Sequence, residues 1–187
     1  MLPELESPRL RLRPRRLDDL DAIARLNADP QVMRHIASVD DPAMGRDAVA
    51  ARSFNHVAHG LGYWSVFAKE EPAEEPAAFA GYVGLIPDGE GSGEVQLSYR
   101  FAVRHWGKGY AREAAAFLLR HGFETLALPE VLVTTHPRNA ASLRLAERLG
   151  FAAAPTDPRI LIGVPAVPAS RLRLTREAWL GLRPPAA

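Results

Sequence analysis

The stretch Arg104-His105-Trp106-Gly107-Lys108-Gly109-Tyr110-Ala111 has the make-up of a phosphate-binding turn. An alternating run, Glu94 to Val103, enters it and a helical run, Arg112 to Thr125, leaves it. Its glycines let the backbone bend tightly and keep Cβ atoms out of a ligand's way. The first turn of a helix has N–H groups without intrahelical partners, and the macrodipole adds partial positive charge there. Phosphate fits such a corner, and Lys108 and Arg104 can add full charges. A P-loop is excluded, because no Ser or Thr follows Lys108. A dinucleotide fingerprint is excluded too, because Arg112 stands at the third glycine position. Further along, Asn139 is placed to cap a helix. Ser142 shares a helix face with Leu145, Ala146 and Leu149, where its hydroxyl needs a partner or a ligand.

Periodicity outlines the elements that must hold these groups. Arg9 to Arg13 alternates Arg and Leu like a half-buried strand, and Pro14 ends it. Asp18 is placed to cap a helix in which Leu17, Leu20, Ile23 and Ala24 recur at helical spacing. Pro30 suits the first position of a short second helix through Ile36. Met44 to His59 reads as a third helix, stopped by Gly60 and Gly62. Strands follow over Tyr63 to Lys69 and Ala78 to Ile86, joined by a solvated acidic loop, Glu70 to Pro76. The flexible turn Pro87 to Gly93 leads to a fourth strand, Glu94 to Val103. On it Glu94, Gln96, Ser98 and Arg100 share one face, and Val95, Leu97, Tyr99 and Phe101 the other. Tyr99 and Tyr110 read as packing residues. The next helix puts Ala111, Ala114, Ala115 and Leu118 on one face, small enough for close approach to a sheet. Val131 to Thr135 is a buried fifth strand, followed by a helix that ends at Leu149-Gly150. The proline-rich stretch 152–169 holds one strand-like patch, Ile160-Leu161-Ile162, and Ser170 to Thr175 closes the pattern as a strand.

Two of these segments, R-x-x-G-x-G-[YF]-A at Arg104 to Ala111 and N-x-x-S-x-x-L-x-x-x-L-G-F at Asn139 to Phe151, occur in this order. Together they resemble the GNAT superfamily of N-acetyltransferases. Ser7-Pro8-Arg9-Leu10-Arg11-Leu12-Arg13 with Asp18-Asp19-Leu20, and the closing Leu174-Thr175-Arg176-Glu177-Ala178-Trp179, resemble its RimJ/RimL branch. The resemblance therefore spans nearly the whole chain. It implies one α/β domain over residues 1–187, with a mixed, twisted sheet of six to seven strands flanked by helices. The fourth and fifth strands of such a sheet splay apart, and the pantetheine arm of acetyl-CoA lies in the gap.

By the same resemblance, backbone groups of Phe101, Ala102 and Val103 hydrogen-bond the pantetheine and the acetyl carbonyl. The loop Arg104, Trp106, Gly107, Lys108, Gly109, Tyr110 and Ala111 surrounds the pyrophosphate, held by the amides from Gly107 to Ala111. Asn139 and Ser142 line the other side of the arm. The implied reaction is direct transfer of acetyl to an amine that must first lose a proton. Backbone N–H groups stabilise the oxyanion, and a proton donor helps the thiolate leave. The family's usual glutamate position falls on Gln96, which cannot take a proton. Glu94, two residues earlier on the same face and roughly 6–7 Å along the strand, is the expected base, with His136 as the alternative. Ser142 matches the hydroxyl proposed as proton donor in the RimL type. The first helix pair forms a wall of the acceptor site, which makes Asn27, Arg34 and His35 candidate contacts. The acceptor is expected to be a protein N-terminal α-amine or a small-molecule amine, and a homodimer is a family-level expectation. The alternative prompted by Gln96 is a CoA-binding domain with little catalysis and a sensing or interaction role.

Composition narrows the rest. A chain of 187 residues, 47% hydrophobic and 24% charged, fits one soluble globular domain. A net charge of +1 gives no global pull toward nucleic acid or membrane. There is no cysteine, which excludes disulfides, thiolate metal sites and covalent cysteine catalysis. No secretory h-region opens the chain and no apolar run approaches the ~18 residues of a span, so a cytoplasmic location is expected. The histidines His35, His56, His59, His105, His121 and His136 show no H-E-x-x-H pattern, and no metal site is expected.

Overall fold

The structure, a computed structural model, describes residues 2–71, 78–89 and 93–182. Residues 72–76 of the acidic loop and 90–92 of the turn before the fourth strand lie outside them. The Arg/Leu alternation produces β2 (Leu10–Pro14), which pairs with a two-residue β1 (Leu5–Glu6). Helices α1 (Leu20–Asn27), α2 (Pro30–Met33) and α3 (Arg46–Ser53) follow. Next come β3 (Gly62–Ala68), β4 (Phe79–Pro87), β5 (Val95–Phe101) and α4 (Tyr110–Arg120). Then come β6 (Glu130–Thr135), α5 (Ala140–Arg148) and β7 (Ala152–Ala154). The short strands β8 (Leu161–Ile162) and β9 (Val167–Pro168) form a separate hairpin, and β10 (Ser170–Thr175) and α6 (Arg176–Gly181) end the fold.

The main sheet runs β1-β2-β3-β4-β5-β6-β10-β7. Among the described residues it has eight strands rather than six or seven because β1 and β7 add short edges, too brief to leave a period-two pattern in the sequence. Every pairing is antiparallel except β5 with β6, and there the register holds a single pair, Gln96 opposite Leu132. Beyond that pair the two strands diverge toward Phe101 and Thr135, which opens the sheet at its centre.

Each face of the sheet carries its own core. Leu12, Trp64, Val66, Val83 and Leu97 pack against Ala114, Ala115 and Leu118 of α4. The alanines let α4 lie close to the strands, and both are fully buried. On the other face, Leu20 and Ile23 of α1 and Val49 of α3 pack on Phe67, Phe79 and Tyr82. Burying side chains of this size is worth about 1.5–3 kcal/mol each. The odd-numbered residues of β5 thus face α4, and Gln96, Ser98 and Arg100 face the side of α1 and α3.

Three local expectations are corrected. The acid at the first helix start is Asp19, not Asp18. Asp19 is fully buried and accepts from the Arg16 N–H at 2.7 Å, Ser65 Oγ at 2.8 Å and Arg13 Nη2 at 2.6 Å. Leu17 belongs to a 3-10 turn and is 62% exposed. The third helix covers only Arg46–Ser53, because 3-10 turns at Pro42–Met44 and Val57–His59 keep an i, i+3 spacing without continuing the α-helix.

Helix α4 runs into a π turn, His121–Thr125, that buries His121 edge-on to Trp64. His121 Nε2 has no hydrogen-bond partner among the described residues. Burial lowers the pKa of His121 from 6.5, and burial, then Arg104 and Lys108, lowers that of His105. The unfolded chain therefore binds more protons than the folded one once pH falls below about 6.5, and stability is lost in that direction. The melting temperature is expected to fall between about pH 7.5 and about pH 5.5, and to fall less in His121→Gln. An equal fall in both proteins would remove His121 from this account.

Candidate active site

The opening between β5 and β6 exposes peptide groups. Ala102 donates its N–H to Ala80 of β4 at 2.9 Å. Peptide groups alternate sides along a strand, so those of Tyr99 and Phe101 turn toward β6, into the gap. Trp106, half exposed, donates its indole N–H to the Phe101 carbonyl at 2.8 Å. That ties the loop after β5 to the lip of the opening.

Across the gap stands the start of α5. Asn139 caps it by accepting the Ser142 N–H at 3.1 Å. The cap fixes the first turn and brings the buried Ser142 against β5. There the Tyr99 hydroxyl lies 2.7 Å from Ser142 Oγ and 3.2 Å from the Ser142 carbonyl. Tyr99 is therefore more than a packing residue. Burial raises its pKa above 10, and the hydrogen bond with Ser142 opposes that shift. The pair thus places protonated hydroxyls where the strands part. A tyrosine on the apolar face of β5 gave no sequence signal beyond its facing the same side as the helix that carries Ser142.

The glycine turn between β5 and α4 forms as expected. Gly107 and Gly109 adopt φ of +75° and +80°, and a Cβ at Gly107 would meet nothing within 4 Å. Gly109 is the N-cap of α4. A clamp from the turn between β1 and β2 fixes the corner, which the sequence did not reveal. Arg9 donates to the Lys108 carbonyl at 2.8 Å and to Glu113 at 2.7 Å, and Ser7 donates to Glu113 at 2.6 Å. Lys108 points outward, 3.5 Å from Glu70 and 3.8 Å from Glu71, and Tyr110 donates to the same Glu70. Arg104 turns back instead, bonding His105 Nε2 at 3.1 Å and the Phe79 carbonyl at 2.9 Å.

At the other end of β5, Glu94 accepts from Arg171 of β10 at 3.0 Å. The same guanidinium binds Asp88, which also accepts from Thr134 Oγ1 at 3.4 Å. His136, just past β6, is buried, and its Nδ1 accepts the Arg138 N–H at 3.0 Å. That bond leaves the proton of the neutral ring on Nε2. The His136 ring lies 5.1 Å from that of His35, and Gly163 of the β8–β9 hairpin packs against it. Burial, then His136, lowers the pKa of His35. The end of β6, the segment after α2 and the hairpin therefore meet at one wall, while Arg34 is exposed. Asn27 is instead buried as a tie, donating to the Met44 carbonyl at 3.0 Å and accepting from Arg100.

The α1–α3 face of the sheet also holds a guanidinium that the sequence reading missed. Arg15 is 7% exposed, with Cζ 4.0 Å from the Tyr63 ring centre and 4.5 Å from that of Tyr82. Its Nη1 donates to Ser53 at 2.8 Å, while Nε and Nη2 have no partner among the described residues. Leaving such a buried donor unpaired costs roughly 1–3 kcal/mol. The signal was present, since the Arg/Leu alternation continues past Pro14 and puts Arg11, Arg13 and Arg15 on one face.

Among the described residues no cluster of His, Asp or Glu is arranged to hold a metal, and no helix is long and apolar enough to cross a membrane.

The fold and the sequence both have known relatives. The chain is 32% identical over 145 residues to the uncharacterised protein YkkB of Bacillus subtilis, covering 75% of this chain and 81% of that one. It is 28% identical to the FsC-acetyl coenzyme A-N(2)-transacetylase of Aspergillus fumigatus, over 98% of this chain and 80% of that enzyme. The crystal structure of an acetyltransferase from Agrobacterium tumefaciens superposes with a TM-score of 0.72 at 28% identity, covering 93% of this chain and 95% of that one. The family model for the acetyltransferase (GNAT) domain matches residues 9–152. With the sheet opened between β5 and β6, the glycine corner before α4 and the capped helix after β6 all in place, the chain belongs to the GNAT family of acetyltransferases, whose acetyl donor is acetyl-CoA.

Proposed function

We propose that this protein is an N-acetyltransferase of the RimJ/RimL-like branch, which moves acetyl directly from the thioester to the primary amine of a peptide N-terminus or a small molecule. Residues 1–187 form one catalytic domain, acting in the cytoplasm. The observation that carries this proposal is the Tyr99–Ser142 hydroxyl pair, 2.7 Å apart at the mouth of the β5–β6 opening. Acetyl transfer uses a proton donor there, and storage of CoA does not require one.

The residues present fit acetyl-CoA. The peptide groups of Tyr99 and Phe101 that turn into the gap suit an extended arm laid beside β5, whereas Ala102, expected to share that role, spends its N–H on Ala80 and its carbonyl on His105, and the Val103 carbonyl accepts from Trp106. The amides from Gly107 to Ala111, with Lys108, suit the pyrophosphate, because open space surrounds Gly107 and the α4 macrodipole points there. Arg104, Trp106 and Tyr110 shape that corner, and Asn139 and Ser142 form the opposite wall. The peptide N–H turned into the gap at Tyr99 suits a developing oxyanion. Ser142, backed by the Tyr99 hydroxyl, gives a proton to the departing sulfur.

The amine must lose a proton before it attacks, and Glu94 is proposed to take it along a chain of waters, since it stands at the far end of β5, five residues and roughly 17 Å along the strand from Tyr99. It shares the face of Gln96, which has no basic site of its own. Arg171 holds one Glu94 oxygen and so fixes the carboxylate. His136 suits this role less well, because its Nδ1 lone pair is already used and Nε2 carries the proton. As a Nε2 donor at the acceptor wall it is better matched to positioning the acceptor. The contrary view, a CoA-binding domain with a sensing role, draws on Gln96 alone.

The test is thiol release from acetyl-CoA with a panel of amines and N-terminal peptides. Glu94→Gln is expected to lower kcat/KM by roughly 10²-fold or more. An unchanged kcat/KM would remove Glu94 as base.

A further inference from the structure

The face of the sheet toward α1 and α3 carries more positive charge than the fold uses. Arg13 is neutralised by Asp19, whose oxygens also serve Arg16 and Ser65. Arg15 has no such partner. Its Cζ lies close to the rings of Tyr63 and Tyr82, which stand perpendicular to each other, and its Nη1 is held by Ser53, so the guanidinium is fixed in orientation. What remains is the edge formed by Nε and Nη2, both buried and both without an acceptor among the described residues. Two parallel N–H groups on one guanidinium edge match the two oxygens of a carboxylate. Arg100 adds a second cation, with Cζ 5.6 Å from the same Tyr82 ring and its own Nε unpartnered. Arg52 is near enough to disfavour the charge on Arg15 further, and the carboxylate that offsets it, Asp19, is already committed.

This charge lies on the face of the sheet toward α1, the helix expected to wall the acceptor site. Arg100 sits on β5 with Ser98 and Gln96, on the face away from α4, and these three residues are partly exposed. Tyr63 and Arg52 are partly exposed as well, and a carboxylate reaches the buried edge of Arg15 only when they move aside. We propose that the Nε/Nη2 edge of Arg15, with Arg100 beside it, binds a carboxylate, and that the amine acceptor of this enzyme carries one. The proposal rests on the acetyltransferase function set out above and deepens it, by naming the acceptor class. The carboxylate belongs either to a small amino acid or to an acidic residue near a peptide's N-terminus.

Matched acceptor pairs test this in the native protein. One arm compares an amino acid with its carboxamide, and the other an N-terminal peptide bearing Glu with its Gln counterpart. The arm that shows discrimination identifies the source of the carboxylate. The carboxylate member is expected to be preferred at least about tenfold in kcat/KM, equivalent to about 1.4 kcal/mol. Arg15→Lys keeps the charge but loses the fork. It should raise KM for the carboxylate acceptor and erase the preference, with acetyl-CoA affinity unchanged. Should that variant fail to fold, Arg100→Gln and the native comparison still decide, since Arg100→Gln should weaken the preference severalfold. Equal rates for both members in both arms would overturn the carboxylate site while leaving the transferase intact. Absence of thiol release with every acceptor would instead count against the transferase. Calorimetric binding of the same pairs then decides the site, and equal affinities overturn it.

Discussion

Ser142→Ala and Tyr99→Phe are each expected to lower kcat by roughly 10²-fold, with the affinity for acetyl-CoA little changed. The two hydroxyls act on one proton, so the double variant should be hardly slower than the worse single one. The structure makes these substitutions clean. The helix cap uses the Ser142 N–H, not its hydroxyl, so alanine keeps the Asn139 bond and the start of α5. Phenylalanine keeps the Tyr99 ring and removes only the hydroxyl. Burial holds the Tyr99 pKa above its ordinary value of 10, so the pair remains protonated across the neutral range. Steady-state thiol release with calorimetry for acetyl-CoA separates the two effects. Native kcat in the double variant would remove the pair from catalysis.

Gly109→Val is expected to weaken acetyl-CoA binding by roughly 10²-fold, about 2.7 kcal/mol, and to affect kcat less. At φ +80° a β-branched side chain pays the left-handed penalty of roughly 1–2 kcal/mol or more. Relief of that strain rotates the N–H groups that must converge on phosphate. The new Cβ would also meet Arg9 Nη2 at 3.4 Å, part of the guanidinium that holds the Lys108 carbonyl and Glu113. Lys108 is already engaged by Glu70 and Glu71, so phosphate must compete with those carboxylates. Glu70→Gln is accordingly a useful control that should tighten binding. Calorimetry with free CoA reads both variants, and an unchanged dissociation constant in Gly109→Val would place the phosphates elsewhere.

Much of the fold was legible because its signals are local. Period-two runs gave β2, β5 and β10, and apolar or β-branched runs gave β3, β4 and β6, within a residue or two, since each strand is half buried or wholly buried. Glycine and Asn139 gave the helix starts and stops near the opening, because their roles are backbone roles. The failures came from short or irregular pieces. β1, β7 and the partner of the β8 patch are two or three residues long and are stabilised by their neighbours, which no window of sequence can register. The 3-10 turns around α3 imitate helical spacing.

The site was legible where it depends on backbone, as at Gly107 to Ala111, and obscure where it depends on residues distant in sequence. Tyr99 meets Ser142 only because β5 and the helix after β6 face each other across the gap. Arg9 reaches Lys108 only because β2 passes beneath the start of α4. The unused edge of Arg15 is visible only once Ser53, Tyr63 and Tyr82 are seen around it.

The central claim is that the opening between β5 and β6 carries out transfer of acetyl to an amine. Its most direct test is to incubate the protein with acetyl-CoA and acceptor amines, then count released thiol and acetylated amine together. The account predicts one acetylated amine for each thiol, with neither formed when amine is omitted and both strongly reduced in the Tyr99→Phe, Ser142→Ala double variant. Tight binding of acetyl-CoA with no acetylated product from any amine would contradict it, and would leave a CoA-binding domain in place of an enzyme.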